Sequence, residues 1–376
     1  MVDIVVVRTA NSIIYDPRVR QIIGSLRKKY SISALGWNRD LVSQEKINNY
    51  IAKVELFNLK TSFWKPSLVR ILIRLLIFFP PFWFWVFIKL LASRPKVVHA
   101  CDLDSVLPCY LYTRIFRRKL VFDVFDRYAM TFIPSKFKTF YSVVNFSEEF
   151  FSEKADVVIT GSDKVMETFQ RKPKRGVTIM NCPEDYPSSK MLPEKYKTSI
   201  LRLVYTGGIK QGRALENMIL VIKDLDNIEL IVAGPVMDKE LFQKMLAIPN
   251  MKYAGYLDPR DAIDLEASAN VMIALYDPNV TWNSITIPNK IFEAMMCGIP
   301  VISNVCQDLI NELDCGIVVD YHNVDQIRET IIKLNDNPGL RKRLGDNGRK
   351  AFLEKYNWNK MEQRLHRVYD SLLPNN

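Results

Sequence analysis

The chain has 376 residues, 48% apolar and 25% charged, and a net charge of +11 at pH 7. This is an ordinary globular composition, which excludes a disordered, collagen-like or disulfide-stapled chain, and the length suits two domains or three. Six cysteines without a C-x-x-C pair and only three histidines point to reduced core thiols in a cytoplasmic protein, away from a zinc or histidine-based metal site.

The chain opens Met1-Val2-Asp3-Ile4-Val5-Val6-Val7, a short apolar run with an acid inside. It reads as a first buried strand and lacks the marks of a signal peptide. Further strands are expected at 31–35, 96–100, 119–123, 156–160 and 177–180. A second series follows at 201–206, 229–233, 251–254, 271–275, 299–303 and 316–319. Helical patterns separate them, and such alternation predicts parallel sheets covered by helices. The proline-rich stretch 183–199 reads as a linker between two doubly wound domains, 1–182 and 200–355. A last helix over 356–376 is expected to pack back on the first domain.

Charge is unevenly placed. From Leu56 to Cys101 there are seven Lys or Arg and no acid. Inside this stretch runs Leu75 to Ile88, fourteen uncharged residues including Phe82, Trp83, Phe84 and Trp85. A bilayer span needs about 20 apolar residues, and Pro80-Pro81 interrupts a single helix. Tryptophan with flanking cations suits the headgroup region of an anionic membrane, so 64–96 is expected to touch one. The alternative is two core helices with solvated basic edges. Nucleic acid is not expected, because no nucleic-acid-binding motif appears.

In doubly wound sheets ligands bind beyond the carboxyl ends of strands. Three loops lie there. The first leads to Asp16-Pro17-Arg18, where Asp16 suits an N-cap and Pro17 the first helical position. The second is Gly207-Gly208-Ile209-Lys210-Gln211-Gly212-Arg213, whose glycines admit a ligand to the backbone. The third is Thr286 to Ile302. Pro288 suits the start of its helix, Gly298 the left-handed position after it, and Pro300 stops it. Lys290 is the odd residue, because a cation in a first helical turn is disfavoured unless an anion binds there. Glu293, one turn on, can accept hydrogen bonds from hydroxyls. An anion site beside a hydroxyl acceptor suits a nucleoside diphosphate.

Several motifs, in order, resemble the retaining glycosyltransferases of family 4, of GT-B architecture with two facing Rossmann-like domains. They are Asp16-Pro17-Arg18-Val19, Val97-Val98-His99-Ala100-Cys101-Asp102-Leu103-Asp104 and Val121 to Tyr128, then Tyr205 to Leu215, Pro288 to Pro300 and Tyr356-Asn357-Trp358. The resemblance implies sugar transfer from a nucleoside-diphosphate sugar with retention and without a metal or other cofactor. It implies donor binding by Gly207, Gly208, Lys210, Arg213, Asn289, Lys290 and Glu293. Asp102 and Asp126 become the catalytic candidates, and Arg18, His99 and Cys101 belong to the acceptor side or cleft. With the basic apolar segment, this gives a lipid-linked or glycan acceptor at the inner face of the cell membrane. The chain departs from the family at Ile285, where an earlier acid often stands, and at Cys101 and Phe125, where histidines are usual. Those two changes support the alternative of a non-catalytic GT-B protein that binds a membrane or a partner. Each candidate also has a plain reading: Asp102 as a helix cap, Asp126 as a turn residue, His99 as a core histidine, Arg18 as an interdomain salt bridge.

Overall fold

The computed structural model describes residues 2–9, 13, 16–39, 52–60, 77–133, 137–185 and 200–374. Most of the expected linker and residues 64–76 of the apolar segment lie outside them. The chain forms two compact units, Met1–Met180 with Glu362–Asn376, and Asn181–Met361.

The first unit is built on seven parallel strands: β1 (Ile4–Arg8), β2 (Ile32–Asn38), β3 (Lys53–Asn58), β4 (Val97–Cys101), β5 (Lys119–Val124), β6 (Val157–Thr160) and β7 (Gly176–Thr178). Their spatial order is β3-β2-β1-β4-β5-β6-β7. Valine and isoleucine dominate β1, β4 and β6, which are buried throughout, as strands with both faces covered must be. The sequence signal missed β3, a half-exposed edge strand whose Lys53 and Glu55 dilute the apolar pattern. β1 pairs with both β2 and β4, so the strand order reverses beside it. The chain ends of β1, β4 and β5 open onto that reversal and carry Arg8, Asp102 and Phe125.

The second unit has six parallel strands: β8 (Leu201–Thr206), β9 (Ile228–Ala233), β10 (Met251–Tyr253), β11 (Val271–Ala274), β12 (Val301–Ser303) and β13 (Gly316–Val318). Their order is β10-β9-β8-β11-β12-β13, with the reversal between β8 and β11. Thr206 ends β8 at that point. The loop after it is held by Gly207 N–H, which donates to Ala233 O at 2.7 Å. Gly234 makes this approach possible: a Cβ there would lie 2.1 Å from Gly207 O, and its φ is +137°. Gly298 has φ +61° and caps the Asn289–Cys297 helix as its sequence position predicted. Pro288 stands one place earlier than expected, at the N-cap.

The helix Trp358–Leu372 begins in the second unit, and from Glu362 onward its residues belong to the first. That boundary falls later in the chain than the expected residue 356. Within the first unit, Lys28 pairs with Glu362 at 2.7 Å and Lys29 with Asp370 at 3.1 Å.

The apolar segment divides by burial. Pro80 and Pro81 lie in the first turn of the Phe79–Ser93 helix, where a missing N–H costs nothing. Phe82 is fully buried and stacks on Trp37 at 5.2 Å between ring centroids, so it is core and not a membrane contact. Trp83 and Trp85 are half-buried; Trp83 Nε1 donates to Asp104 O at 2.7 Å, and the Trp85 ring lies against Phe57. Of the four aromatics expected at a membrane, only Phe84 is exposed, at 69%. Among the described residues no helix is long and apolar enough to cross a membrane.

Candidate functional site

Two groups of polar residues stand at the two strand-order reversals. In the second unit the group forms around Lys290. Its ammonium donates to Thr206 Oγ1 at 2.7 Å, lies 3.8 Å from Glu293 Oε2, and sits 5.6 Å from the Tyr205 ring centroid. The helix that carries it has no side-chain cap; Ile291 N–H donates to Pro288 O at 3.1 Å, which leaves the Asn289 and Lys290 N–H groups without a partner among the described residues. Gly207 lies directly against this lysine: a Cβ there would meet Lys290 Cε at 3.5 Å. The loop continues through Gly212 at φ +78° and Ala214 at φ +52° into the Leu215–Ile222 helix, which also lacks a side-chain cap. Arg213, just before that helix, stacks over the Tyr276 ring at 4.5 Å. Burial and the neighbouring Arg213 both pull the Lys210 ammonium below its ordinary range. Asn289 Oδ1 accepts from Asn181 Nδ2 at 3.0 Å. The structure therefore brings Gly207, Arg213, Lys290 and Glu293 to one end of the second sheet.

Sequence reasoning missed Glu266. It lies on the Pro259–Ser268 helix, is 2% exposed, and its Oε1 accepts the Thr206 hydroxyl proton. Its Oε2 and Glu293 Oε2 are both buried without a hydrogen-bond partner among the described residues. Burial pushes the Glu266 carboxyl up to about 8, Glu293 adds to the rise, and Lys290 opposes it. The sequence did hold a signal: Glu266 takes an inward position of an amphipathic helix, flanked by Ala267 and just ahead of a buried strand.

The first-unit group is a closed knot of charge. Asp16 caps the Pro17–Leu26 helix as predicted, accepting from Val19 N–H at 3.2 Å. Arg8, which the sequence reading passed over, pairs with Asp16 at 3.1 Å and also with Asp102. Asp102 is 1% exposed, and its other oxygen accepts from Phe125 N–H at 2.8 Å and Asp126 N–H at 3.3 Å. Both oxygens are thus occupied internally, so Asp102 ties β1 to the loop after β5 and does not present a free acid or base. It precedes the Leu103–Ile115 helix without capping it, and its φ of +65° is a strained conformation for a residue with a side chain. Burial pushes its carboxyl up to about 7 against the pull of Arg8. Asp126 is half-buried, its carboxylate makes no hydrogen bond among the described residues, and burial raises it, with Arg8 opposing.

Arg18 pairs with Asp123 at 2.9 Å and donates to Ile179 O at 2.8 Å, so its salt bridge lies inside the first unit. His99 is fully buried, with Nδ1 2.5 Å from Tyr369 Oη and Nε2 3.3 Å from Asp123. It is a core histidine that fastens the last helix. Cys101 is also fully buried, and burial raises its thiol. The Phe125 ring lies 4.2 Å from the Arg8 guanidinium and 5.0 Å from that of Arg18. The phenyl group serves as a cation platform. Among the described residues no cluster of three or more His, Cys, Asp or Glu is arranged to hold a metal ion.

Residues 201–337 match the family described as glycosyl transferases group 1. The chain is similar to an uncharacterized glycosyltransferase of Methanocaldococcus jannaschii, at 25% identity over 53% of this chain and 52% of that one. It is also similar to the GDP-mannose-dependent monoacylated alpha-(1-6)-phosphatidylinositol monomannoside mannosyltransferase of Corynebacterium glutamicum, at 24% identity over 43% of this chain and 44% of that one. The matches thus span about half the length of these relatives. The structure of Anabaena HepE in complex with UDP and glucose superposes with a TM-score of 0.72 at 14% identity, over 99% of this chain and 100% of that one. The fold is shared: two parallel-sheet, Rossmann-like α/β domains of the GT-B type.

A Glu266→Gln variant will change the pH profile of stability. The folded carboxyl keeps its proton to about 8, whereas the unfolded one releases it near 4.5. Between these values the native state binds more protons, so this residue lowers stability as pH rises. Melting curves from pH 5 to 9 should show the glutamine variant gaining on the wild type toward pH 8. A constant difference across that range would contradict this.

Proposed function

We propose that this chain, which carries a glycosyl transferases group 1 domain on a GT-B fold, moves a sugar from a nucleoside-diphosphate sugar to an acceptor. One observation carries the reading. Lys290, in the uncapped first turn of its helix, sits against the glycine loop with Glu293 beside it. A diphosphate supplies the negative charge that this helix end and its lysine call for. Glu293 keeps about a quarter of its side chain exposed, 23%, and so can accept hydrogen bonds from ribose hydroxyls. Arg213 and Lys210 extend the cationic lining along the loop.

Charge builds on the diphosphate as it leaves, and fixed cations in a shielded site stabilise it most when it is fully formed. In this reading the two basic side chains, Arg213 and Lys290, do what a divalent metal does elsewhere, so transfer proceeds without one; retention at the anomeric carbon is what the resemblance to family 4 implies. The UDP and glucose bound in HepE support a nucleotide-sugar donor by analogy of fold.

For the acceptor we favour a lipid-linked molecule at the inner face of the cell membrane. The mannosyltransferase relative, named for a phosphatidylinositol mannoside, supports this. So does the first unit's surface. The Phe79–Ser93 and Leu103–Ile115 helices pack together, and Phe84, Ile88, Leu111 and Ile115 are exposed on them, with Phe116 just beyond. From Ile77 to Lys119 the only acids are Asp102 and Asp104, both buried. Every exposed charge in this stretch is therefore a cation, including Arg94, Arg114, Arg117 and Arg118. Exposed apolar side chains on a stretch whose exposed charges are all cations match an anionic lipid surface.

Glu293→Ala should weaken nucleoside diphosphate binding by about 1–3 kcal/mol, the usual loss for hydrogen bonds to a charged group. Calorimetric titration reads this directly, and an unchanged affinity would contradict the donor site. Replacing Phe84 and Ile88 with Ser should release the protein from phosphatidylglycerol vesicles by about tenfold or more, since each buried apolar side chain is worth about 1.5–3 kcal/mol. Melting should stay unchanged, because both side chains are exposed. Undiminished vesicle binding would contradict the membrane reading.

A further inference from the structure

We propose that Glu266 is a positioning residue of the donor site, which acts through the Thr206 hydroxyl to aim the Lys290 ammonium at the diphosphate. The inference rests on the donor reading above and adds to it a residue on a different helix.

The argument follows the donors. Thr206 has one hydroxyl proton, and it goes to Glu266 Oε1. With that proton committed, the lone pairs of Thr206 Oγ1 face outward and accept from Lys290 Nζ at 2.7 Å. The order cannot be reversed, because an ammonium has donors only. Without an acceptor at position 266 the hydroxyl is free to rotate and Lys290 loses its directional anchor. Lysine is a flexible point charge that needs such an anchor to be held in one place. Glu293 cannot substitute: at 3.8 Å from Nζ it is an ion-pair neighbour beyond hydrogen-bond range.

The burial of Glu266 also demands a reason. A carboxyl 2% exposed on a helix face is costly unless satisfied, yet its Oε2 has no partner among the described residues. The groups that face it are Lys290 and Glu293 from the Asn289–Cys297 helix and Thr206 from β8. A second carboxylate this close to Lys290 would cancel its charge and repel a diphosphate. Held neutral, Glu266 keeps its role as acceptor for Thr206 without adding negative charge. Its carboxyl lies high enough, at about 8, to stay protonated at neutral pH.

The test measures affinity for UDP, GDP and ADP by calorimetry, with the tightest of them carried through a variant series. Glu266→Ala should weaken binding about tenfold, and Glu266→Gln, which still accepts from Thr206, should restore most of it. Thr206→Val should lose about as much as Glu266→Ala, Thr206→Ser should not, and the double variant should be no worse than either single one. Above pH 8 the wild type should lose affinity as Glu266 ionises, and the glutamine variant should not follow. If Glu266→Ala fails to fold, the Thr206 pair and the glutamine pH profile decide. Additive losses, equal affinities of Ala and Gln at position 266, or matching pH profiles would overturn the proposal. A wild type that binds none of these three, nor CDP or TDP, would instead overturn the donor reading itself.

Discussion

A lysine ammonium placed at the start of a helix sets the terms for the second unit. Helix starts repel cations, so Lys290 needs compensation from below and an anion from above. Compensation comes from the Thr206 hydroxyl, which Glu266 orients, and from the Glu293 carboxylate. The sheet order supplies the place. Reversal between β8 and β11 leaves a gap at their carboxyl ends, and Thr206 stands at its edge. The backbone supplies the fit, since Gly234 lets the Gly207 turn close down, and a Cβ at Gly207 would press on the Tyr205 hydroxyl at 3.0 Å.

The first unit solves a different problem at the equivalent reversal. Here two arginines and three aspartates are buried together, and each has an oppositely charged partner: Arg8 is shared by Asp16 and Asp102, and Arg18 pairs with Asp123. Matched buried ions specify geometry more than they add stability. They bind β1, β4, β5 and the Pro17–Leu26 helix into one frame, and His99 extends the frame to Tyr369 on the last helix. Phe125, under both guanidiniums, belongs to this frame, so the phenyl ring has a structural use of its own. The Lys290 group lies wholly in the second unit, and neither Cys101 nor Phe125 is part of it.

The strands were legible because β-branched runs alternate with amphipathic helices, and both helix-start cations were legible because their charge contradicts the dipole. Glu266 was not, since a single acid inside an apolar helix face reads as noise until the fold brings Thr206 and Lys290 to it. Asp102 misled for a related reason. The motif marks it as exceptional, and it is, but by its strained backbone and its two amide hydrogen bonds. Phe82 misled because hydropathy cannot say which side of a uniformly apolar helix faces inward; Trp37 on β2 decided that.

The claim on which the account turns is that the second unit binds a nucleoside diphosphate through Lys290 and its neighbours. Thermal melting in EDTA against UDP, GDP, ADP, CDP and TDP tests it most directly. A ligand that binds only the folded state adds about 2.7 kcal/mol of stability at a hundred times its dissociation constant. The account predicts a clear upward shift with at least one diphosphate and with its sugar conjugate, and loss of that shift in Lys290→Ala. A well-folded protein that melts at the same temperature with all five would contradict it.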